Sequence, residues 1–312
     1  MFGLTYLTYL WIPLPGAGPE GPPPKPPPRA IETTLELQIA LARRGYSPGS
    51  VDGTLGSQTR QALAAYQTAH DLSPTAEWDA ATRGDIMIQD PVFAFLELSE
   101  ADFGRIDPPP VTWRERGQRS RMAYHSILEM AAEKSQSDPD LIVALNPEID
   151  CSALQSGQRI KIPHIPTVRP NGRADRVRIS LSERSLQAID PAGRILFHAP
   201  VSIARRVDKR PSGRLDIAVR VENPNYTFNP AILSGTAARE GITKKFIIQP
   251  GPNNPVGSVW IGLSLPGYGI HGTPEPEQIG RTESSGCFRL ANWNAETLLG
   301  LVHDGMPVYV EP

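Results

Sequence analysis

The 312-residue chain has no uninterrupted apolar run of the roughly 20 residues that a membrane-spanning helix needs. Its opening stretch, Met1 to Ile12, is apolar and aromatic but stops at Pro13. It also lacks the Lys or Arg that opens a secretory signal, so it reads either as the remnant of a signal or as a sticky tail. A surplus of one charge is missing too. With 31 Lys and Arg against 33 Asp and Glu, the net charge of −2 offers no footprint for nucleic acid or an anionic membrane surface. Two cysteines, Cys151 and Cys287, exclude a disulfide framework. The six histidines do not gather at ligand spacing, so neither a metal nor another cofactor is expected.

What is plentiful is proline, 33 residues, concentrated in blocks that divide the chain. PLPGAGPEGPPPKPPP (Pro13 to Pro28) has no apolar face and predicts a polyproline II spacer, making residues 1–29 a disordered leader. Pro108-Pro109-Pro110 closes a second boundary, so residues 91–110 read as a linker. Three modules remain, at residues 30–90, 111–165 and 175–312, and together they predict a multidomain α+β protein.

In the first module, a helix capped by Thr33 or Thr34 carries Leu37 and Leu41 on one face and is closed by Gly45. Asp52-Gly53 marks a turn. A second helix from about Ser57 carries Leu63 and Tyr66, and a third runs from near Asp79 to Ile86. LQIALARRGY and VDGTLGSQTRQALAAYQ resemble the peptidoglycan-binding three-helix domain. The glycine such domains carry before the third helix is replaced here by Ala76 and Glu77.

The second module reads as a strand at Arg121 to Tyr124, then HSILEMAAEKSQ as an amphipathic helix. A second helix is opened by Asp138-Pro139 and stopped by Asn146-Pro147, and LQSGQRIKIP supplies a turn and a closing strand. This βααβ order, with ALNPEID, resembles a LysM module, a fold that binds N-acetylglucosamine-containing glycans. Its early glycine-aspartate is missing, replaced near Tyr124-His125. Cys151 lies in this module as a small, partly buried residue.

The third module is mostly β. Val177, Ile179 and Leu181 face one way, Asp190 to Gly193 turn, and Ile195, Phe197 and Val201 return, which predicts a hairpin. Leu215, Ile217, Val219 and Val221 alternate again, and NPNYTFNP predicts a cleft-edge loop. Many short strands with Gly/Pro turns argue for a sandwich or barrel-like sheet. Asn294 caps a helix running to about His303, and Met306 to Val310 closes the sheet.

The chemistry sits in this module. Cys287 is a candidate nucleophile, and His271, sixteen residues upstream at the end of an apolar run, is the candidate base. Gly286 lets the backbone turn tightly, so that consecutive N–H groups face a developing oxyanion. Considered alone, such a pair reads more readily as a buried small residue beside a satisfied polar one. The surrounding pattern, HGT-PEPEQIGRTE-SSGCFRL, with GPNNPVG and Asn292 around it, resembles the L,D-transpeptidase (YkuD) catalytic domain.

That resemblance implies Cys287 as nucleophile, His271 as base, Gly272 as the carbonyl that holds the ring, and the N–H groups of Gly286 and Cys287 as oxyanion hole. Ser284, Ser285, Arg289 and Asn292 would contact substrate, Arg289 either pairing with a carboxylate or buttressing the loop. The implied donor is a tetrapeptide stem of peptidoglycan, whose terminal D-Ala is expelled as a cysteine thioester forms. An amine of another stem then gives a 3→3 cross-link; water gives L,D-carboxypeptidase activity, and a lipoprotein lysine gives anchoring to the wall. The implied partners are peptidoglycan stems and glycan strands and an envelope lipoprotein, and the implied location is the periplasm or cell envelope of a bacterium. A rival from another class is a catalytically silent wall-binding protein.

Overall fold

The computed structural model describes residues 27–281 and 286–312; most of the expected leader, and Ser284 and Ser285, lie outside them. Strand β1 (Arg29–Ala30) precedes α1 (Thr34–Arg43), α2 (Ser57–Ala69) and α3 (Ala80–Asp85), and β2 (Met87–Ile88) pairs back on β1. Short polar side chains set the helix starts. Thr33 Oγ1 accepts the Glu36 N–H and the Asp79 carboxylate accepts the Thr82 N–H. Leu37, Leu41, Leu63 and Tyr66 fill the core between them. Where the glycine is replaced, Ala76 takes a left-handed φ of 58°. The Gln67 carboxamide clamps this turn, accepting from Ala76 N–H and donating to Thr75, Thr82 and the Glu77 carbonyl.

The middle module departs from the expected layout. Strand β3 (Phe93–Glu97) and helix α4 (Glu100–Phe103) occupy the expected linker, followed by α5 (Trp113–Gln118), α6 (Ile127–Lys134), α7 (Pro139–Leu145) and β4 (Arg159–Pro163). β3 pairs antiparallel with β4, setting Leu96 opposite Ile160 and Ala94 opposite Ile162. Residues 121–124, expected as the first strand, form only an isolated bridge, Tyr124 to Ile106. The flanking prolines disguised β3. They punctuate the chain, but a five-residue edge strand needs no more than one pairing partner.

The catalytic region holds β5 (Arg176–Ser180), β6 (Ser185–Ile189), β7 (Ile195–Pro200), β8 (Gly213–Glu222), β9 (Tyr226–Phe228), α8 (Ser234–Glu240), β10 (Phe246–Ile248), β11 (Val259–Leu263), β12 (Gly269–His271), β13 (Phe288–Arg289), α9 (Asn292–Leu301) and β14 (Pro307–Glu311). The predicted hairpin is a three-stranded meander: β5 turns at Arg184, which has a φ of 52°, into β6, and β6 turns into β7. α9 begins at Asn292, two residues before the expected cap.

One eight-stranded sheet runs β13-β12-β11-β8-β14-β5-β6-β7. Its ends meet, because Ser202, just past β7, exchanges both backbone hydrogen bonds with Arg289 at 2.9 Å. The sheet thus curls back on itself around Val177, Ile179, Ile261, Ile270, Phe288 and Leu298. β9, α8 and β10 form a separate flap over one end, with its own aromatic core that takes in Trp113 of α5. No helix among the described residues is long and apolar enough to cross a membrane.

Candidate active site

Parallel pairing of β12 with β13 sets Ile270 beside Phe288 and His271 beside Arg289. Strand side chains alternate, and Ile270, Phe288 and Leu290 belong to the core. His271, Arg289 and, two residues earlier, Cys287 therefore share the opposite face. At ~4.8 Å between strands and ~3.3 Å per residue, the backbones of His271 and Cys287 lie roughly 8 Å apart on the diagonal. A thiol and an imidazole are together long enough to span that gap. On the other side, β11 pairs antiparallel and puts Trp260 beside His271, where its ring stacks at 5.7 Å and 22°. Gly262 and Gly269 clear space for the indole; a Cβ on either would press on it.

A register shift between Gly262 and Leu263 explains a further feature of this face. Leu263 pairs with Ile217 in the core, but Gly262 pairs with Val219 and Trp260 with Val221. The bulge moves Val219 and Val221 out of the core and onto the catalytic face, where they are exposed. Their uniform alternation with Leu215 and Ile217 hides this change of side.

His271 is buried, and its Nδ1 lies 2.6 Å from the Gly272 carbonyl oxygen. A carbonyl only accepts, so Nδ1 carries the hydrogen and Nε2 is left with its lone pair. Desolvation pulls the imidazole down from 6.5 to about 4; the Gly272 bond opposes this and Arg289 adds to it. The ring is neutral at physiological pH and ready to take a proton. Cys287 is half-buried, its thiol donating to the Gly267 carbonyl at 3.6 Å. Burial pushes its pKa up, against a hydrogen bond from the Gly269 backbone. The resting pair is a neutral thiol and a neutral imidazole, and proton transfer must accompany attack.

Gly272 is glycine for close approach: a Cβ there would run into the Asn292 carboxamide oxygen. At Gly286, among the described residues, a Cβ would meet the Tyr268 ring at an ordinary 3.8 Å. Burial draws the Arg289 guanidinium down, with Glu275 opposing, and the residue closes the sheet through Ser202. Asn292, expected to touch substrate, is fully buried. Its Oδ1 accepts the Ser258 N–H at 3.1 Å and its Nδ2 donates to Glu133 at 2.9 Å and the Pro252 carbonyl at 3.1 Å. In this structure its carboxamide ties backbone segments together.

Two neighbours were missed by residue-type reasoning. Trp260 is hidden in an apolar strand whose register no local pattern reveals. Burial raises the phenol of Tyr226, on β9, and the charge of the nearby Cys287 thiolate adds to the rise. The signal for Tyr226 was the aromatic, proline-broken loop itself.

Residues 174–310 match the family described as "L,D-transpeptidase catalytic domain", and residues 32–84 match "Putative peptidoglycan binding domain". The protein named Putative L,D-transpeptidase YkuD of Bacillus licheniformis is 27% identical over 185 residues, spanning 59% of this chain and 93% of that one. Its namesake in Bacillus subtilis is 26% identical over 185 residues with the same shares, 59% and 93%. Among solved structures, L,D-transpeptidase 3 from Mycobacterium tuberculosis, bound to a faropenem-derived adduct, is similar at 15% identity and a TM-score of 0.34. That overlap covers 51% of this chain and 76% of that one. The chain therefore carries an L,D-transpeptidase catalytic domain over residues 174–310, set behind a peptidoglycan-binding domain over residues 32–84.

Proposed function

We propose that this protein is a peptidoglycan L,D-transpeptidase of the bacterial cell envelope, working in the periplasm with Cys287 as nucleophile. The observation that carries the reading is the neutral His271 ring, fixed by Gly272 with Nε2 as acceptor on the face shared with Cys287. Nε2 takes the thiol proton as the sulfur bonds to the carbonyl carbon before the terminal D-Ala of a tetrapeptide stem. The carbonyl oxygen becomes an oxyanion held by the N–H groups of Gly286 and Cys287, each worth about 3–4 kcal/mol in comparable sites.

As the tetrahedral centre collapses, the C–N bond to D-Ala breaks and the imidazolium gives its proton to the departing amine. A thioester remains on Cys287. A side-chain amine of a second stem, deprotonated by the same imidazole, attacks the thioester and releases the thiol, leaving a 3→3 cross-link. Arg289, beside His271 on the face opposite the core, suits a substrate carboxylate. The LysM-like middle module and the N-terminal domain would keep the enzyme on the glycan. Water or an envelope lipoprotein's lysine as acceptor uses the same thioester.

Mass spectrometry of the products from purified tetrapeptide muropeptides tests this. The wild-type protein should give 3→3 dimers, and Cys287→Ala should give none while still binding sacculi. A Cys287→Ala protein that turned over would remove the nucleophile assignment. Trimmed tripeptides without dimers would make the acceptor water.

A further inference from the structure

The middle module touches the candidate active site by setting two part-buried carboxylates against buried amides. Helix α6 supplies two carboxylates across the junction. Glu129 accepts from the Asn253 amide at 2.7 Å, and Glu133 accepts from the Asn292 amide at 2.9 Å. Asn253 also donates to the Ala123 carbonyl, and Met122 N–H donates to the Pro250 carbonyl. The GPNNPVG loop, residues 251–257, is thus gripped by the residues that open α6. Gly251 has a φ of 145°, and a Cβ there would run into the Met122 carbonyl.

The other end of this network reaches the base. The Asn292 oxygen that accepts from Ser258 N–H is also packed against both Gly257 and Gly272, leaving no space for a Cβ on either. Gly272 is the residue whose carbonyl fixes the His271 tautomer, and its own N–H donates to Val259. The other end of the Asn292 carboxamide, Nδ2, sets which way its oxygen faces. Two acceptors hold it, the Pro252 carbonyl and the Glu133 carboxyl.

We infer that Glu133, a residue of the middle module, is a positioning residue of the active site: through Asn292 it fixes the Gly272 carbonyl and hence the orientation of the His271 imidazole. The front of the chain is then part of the catalytic device as well as its tether. The inference rests on the transpeptidase reading only for its kinetic arm. Desolvation pushes the Glu133 carboxyl up to about 8, against the Asn292 bond and with the charge of Glu296 adding to the rise. A hydrogen-bond acceptor kept at a module junction at this cost, where an apolar residue would fill the space, fits a role in orientation.

The test uses the full chain with Glu133→Leu, which fills the space but accepts no bond, and Glu133→Gln, which keeps an acceptor for Asn292. On muropeptides, Glu133→Leu should lower kcat by roughly 10- to 100-fold with KM little changed, the scale on which small misplacements of a catalytic group act. Glu133→Gln should restore most of it. By nitrogen-edited NMR, the His271 Nδ1 proton should be slow to exchange in the wild type and in Glu133→Gln, and exchange-broadened in Glu133→Leu. If Glu133→Leu does not fold, Tyr124→Phe with Glu133→Ala takes its place in both arms. Wild-type kcat and an unchanged Nδ1 proton in the variant lacking the acceptor would overturn the inference, as would a glutamine variant as impaired as leucine. A wild-type protein inert on muropeptides would sink the transpeptidase reading alone, because the NMR arm still decides the coupling.

Discussion

The two front modules are fastened to the catalytic region in different ways. The peptidoglycan-binding domain lies along the free edge of β7. Ser47 N–H donates to the His198 carbonyl, His198 N–H donates to the Gly45 carbonyl, and the Tyr46 hydroxyl donates to the Ile195 carbonyl. This is strand-edge docking, built on main-chain groups that any sequence offers, and it covers an edge that would otherwise invite aggregation. Of its side-chain ties, Tyr46 to Ile195, Gln58 to Ile279 and Gln61 to Glu183 end on main-chain carbonyls, and Asn294 to Ser47 joins two side chains. The middle module docks through particular side chains, its Glu129 and Glu133 meeting Asn253 and Asn292, and Asn292 packs against Gly272 beside the candidate base. Main-chain docking fixes position and tolerates substitution. Side-chain docking ties one module's residues to another's chemistry.

The strongest way to break this contrast is Asn292→Ala. It leaves the Ser258 N–H and the Glu133 carboxyl without their partner, and should cost about 2–4 kcal/mol of stability in urea unfolding. The remaining folded protein should lose at least roughly 10-fold in kcat on muropeptides. Ser47→Ala, its counterpart at the other junction, should cost about 1 kcal/mol and leave kcat alone. Equal kinetic loss in the two variants would erase the distinction.

Acid separates the junctions in another way. His198 is fully buried under the N-terminal domain with no hydrogen bond to its ring, and desolvation alone lowers it from 6.5 to about 4. His271 is lowered to about 4 as well. Both histidines bind protons more weakly folded than unfolded. Their contribution to stability is complete above about pH 6.5 and is lost as the pH falls towards 4, by roughly 3 kcal/mol each. His198→Leu should therefore remove about half of this loss in urea titrations at pH 7.5 and 4.5. The acid limb of kcat/KM, set by His271 near pH 4, should not move in that variant. A limb near 6.5 would mean that the imidazole is solvated in solution.

The smallest effect sharpens the contrast from inside the N-terminal domain. Ala76 holds a left-handed φ of 58° where a glycine is at ease. Ala76→Gly should raise thermal stability by about 0.5–1 kcal/mol and leave muropeptide turnover unchanged. A gain in kcat would show that this domain also reaches the active site.

Much of the fold and site was legible because it rests on local rules. The caps at Thr33 and Asp79, Pro139 opening α7 and the alternation of β5, β7 and β14 all follow from neighbours in sequence. So does the pairing of a cysteine with a histidine sixteen residues upstream in a recognisable motif. The errors had a common cause. β3 was taken for linker because its partner, β4, is more than sixty residues away. β6 was overlooked because a turn at Arg184 needs a positive φ that no glycine announces. Asn292 was read as a substrate contact because motif membership does not reveal which way a carboxamide points.

By itself, the sequence determined the modules' helices, the apolar faces of the regular strands and the candidate pair of Cys287 and His271, since each depends on residue type and short spacing. The tertiary structure alone decided the rest. Closure of the sheet through Ser202 and Arg289, the bulge that turns Val219 and Val221 outward, and the seating of Trp260 on His271 are matters of register between distant strands. The tautomer of the base and the reach of Glu133 towards it are likewise products of which groups are brought together and which lose their water. Desolvation and pairing are properties of the assembled chain, and no stretch of sequence holds them before the segments meet.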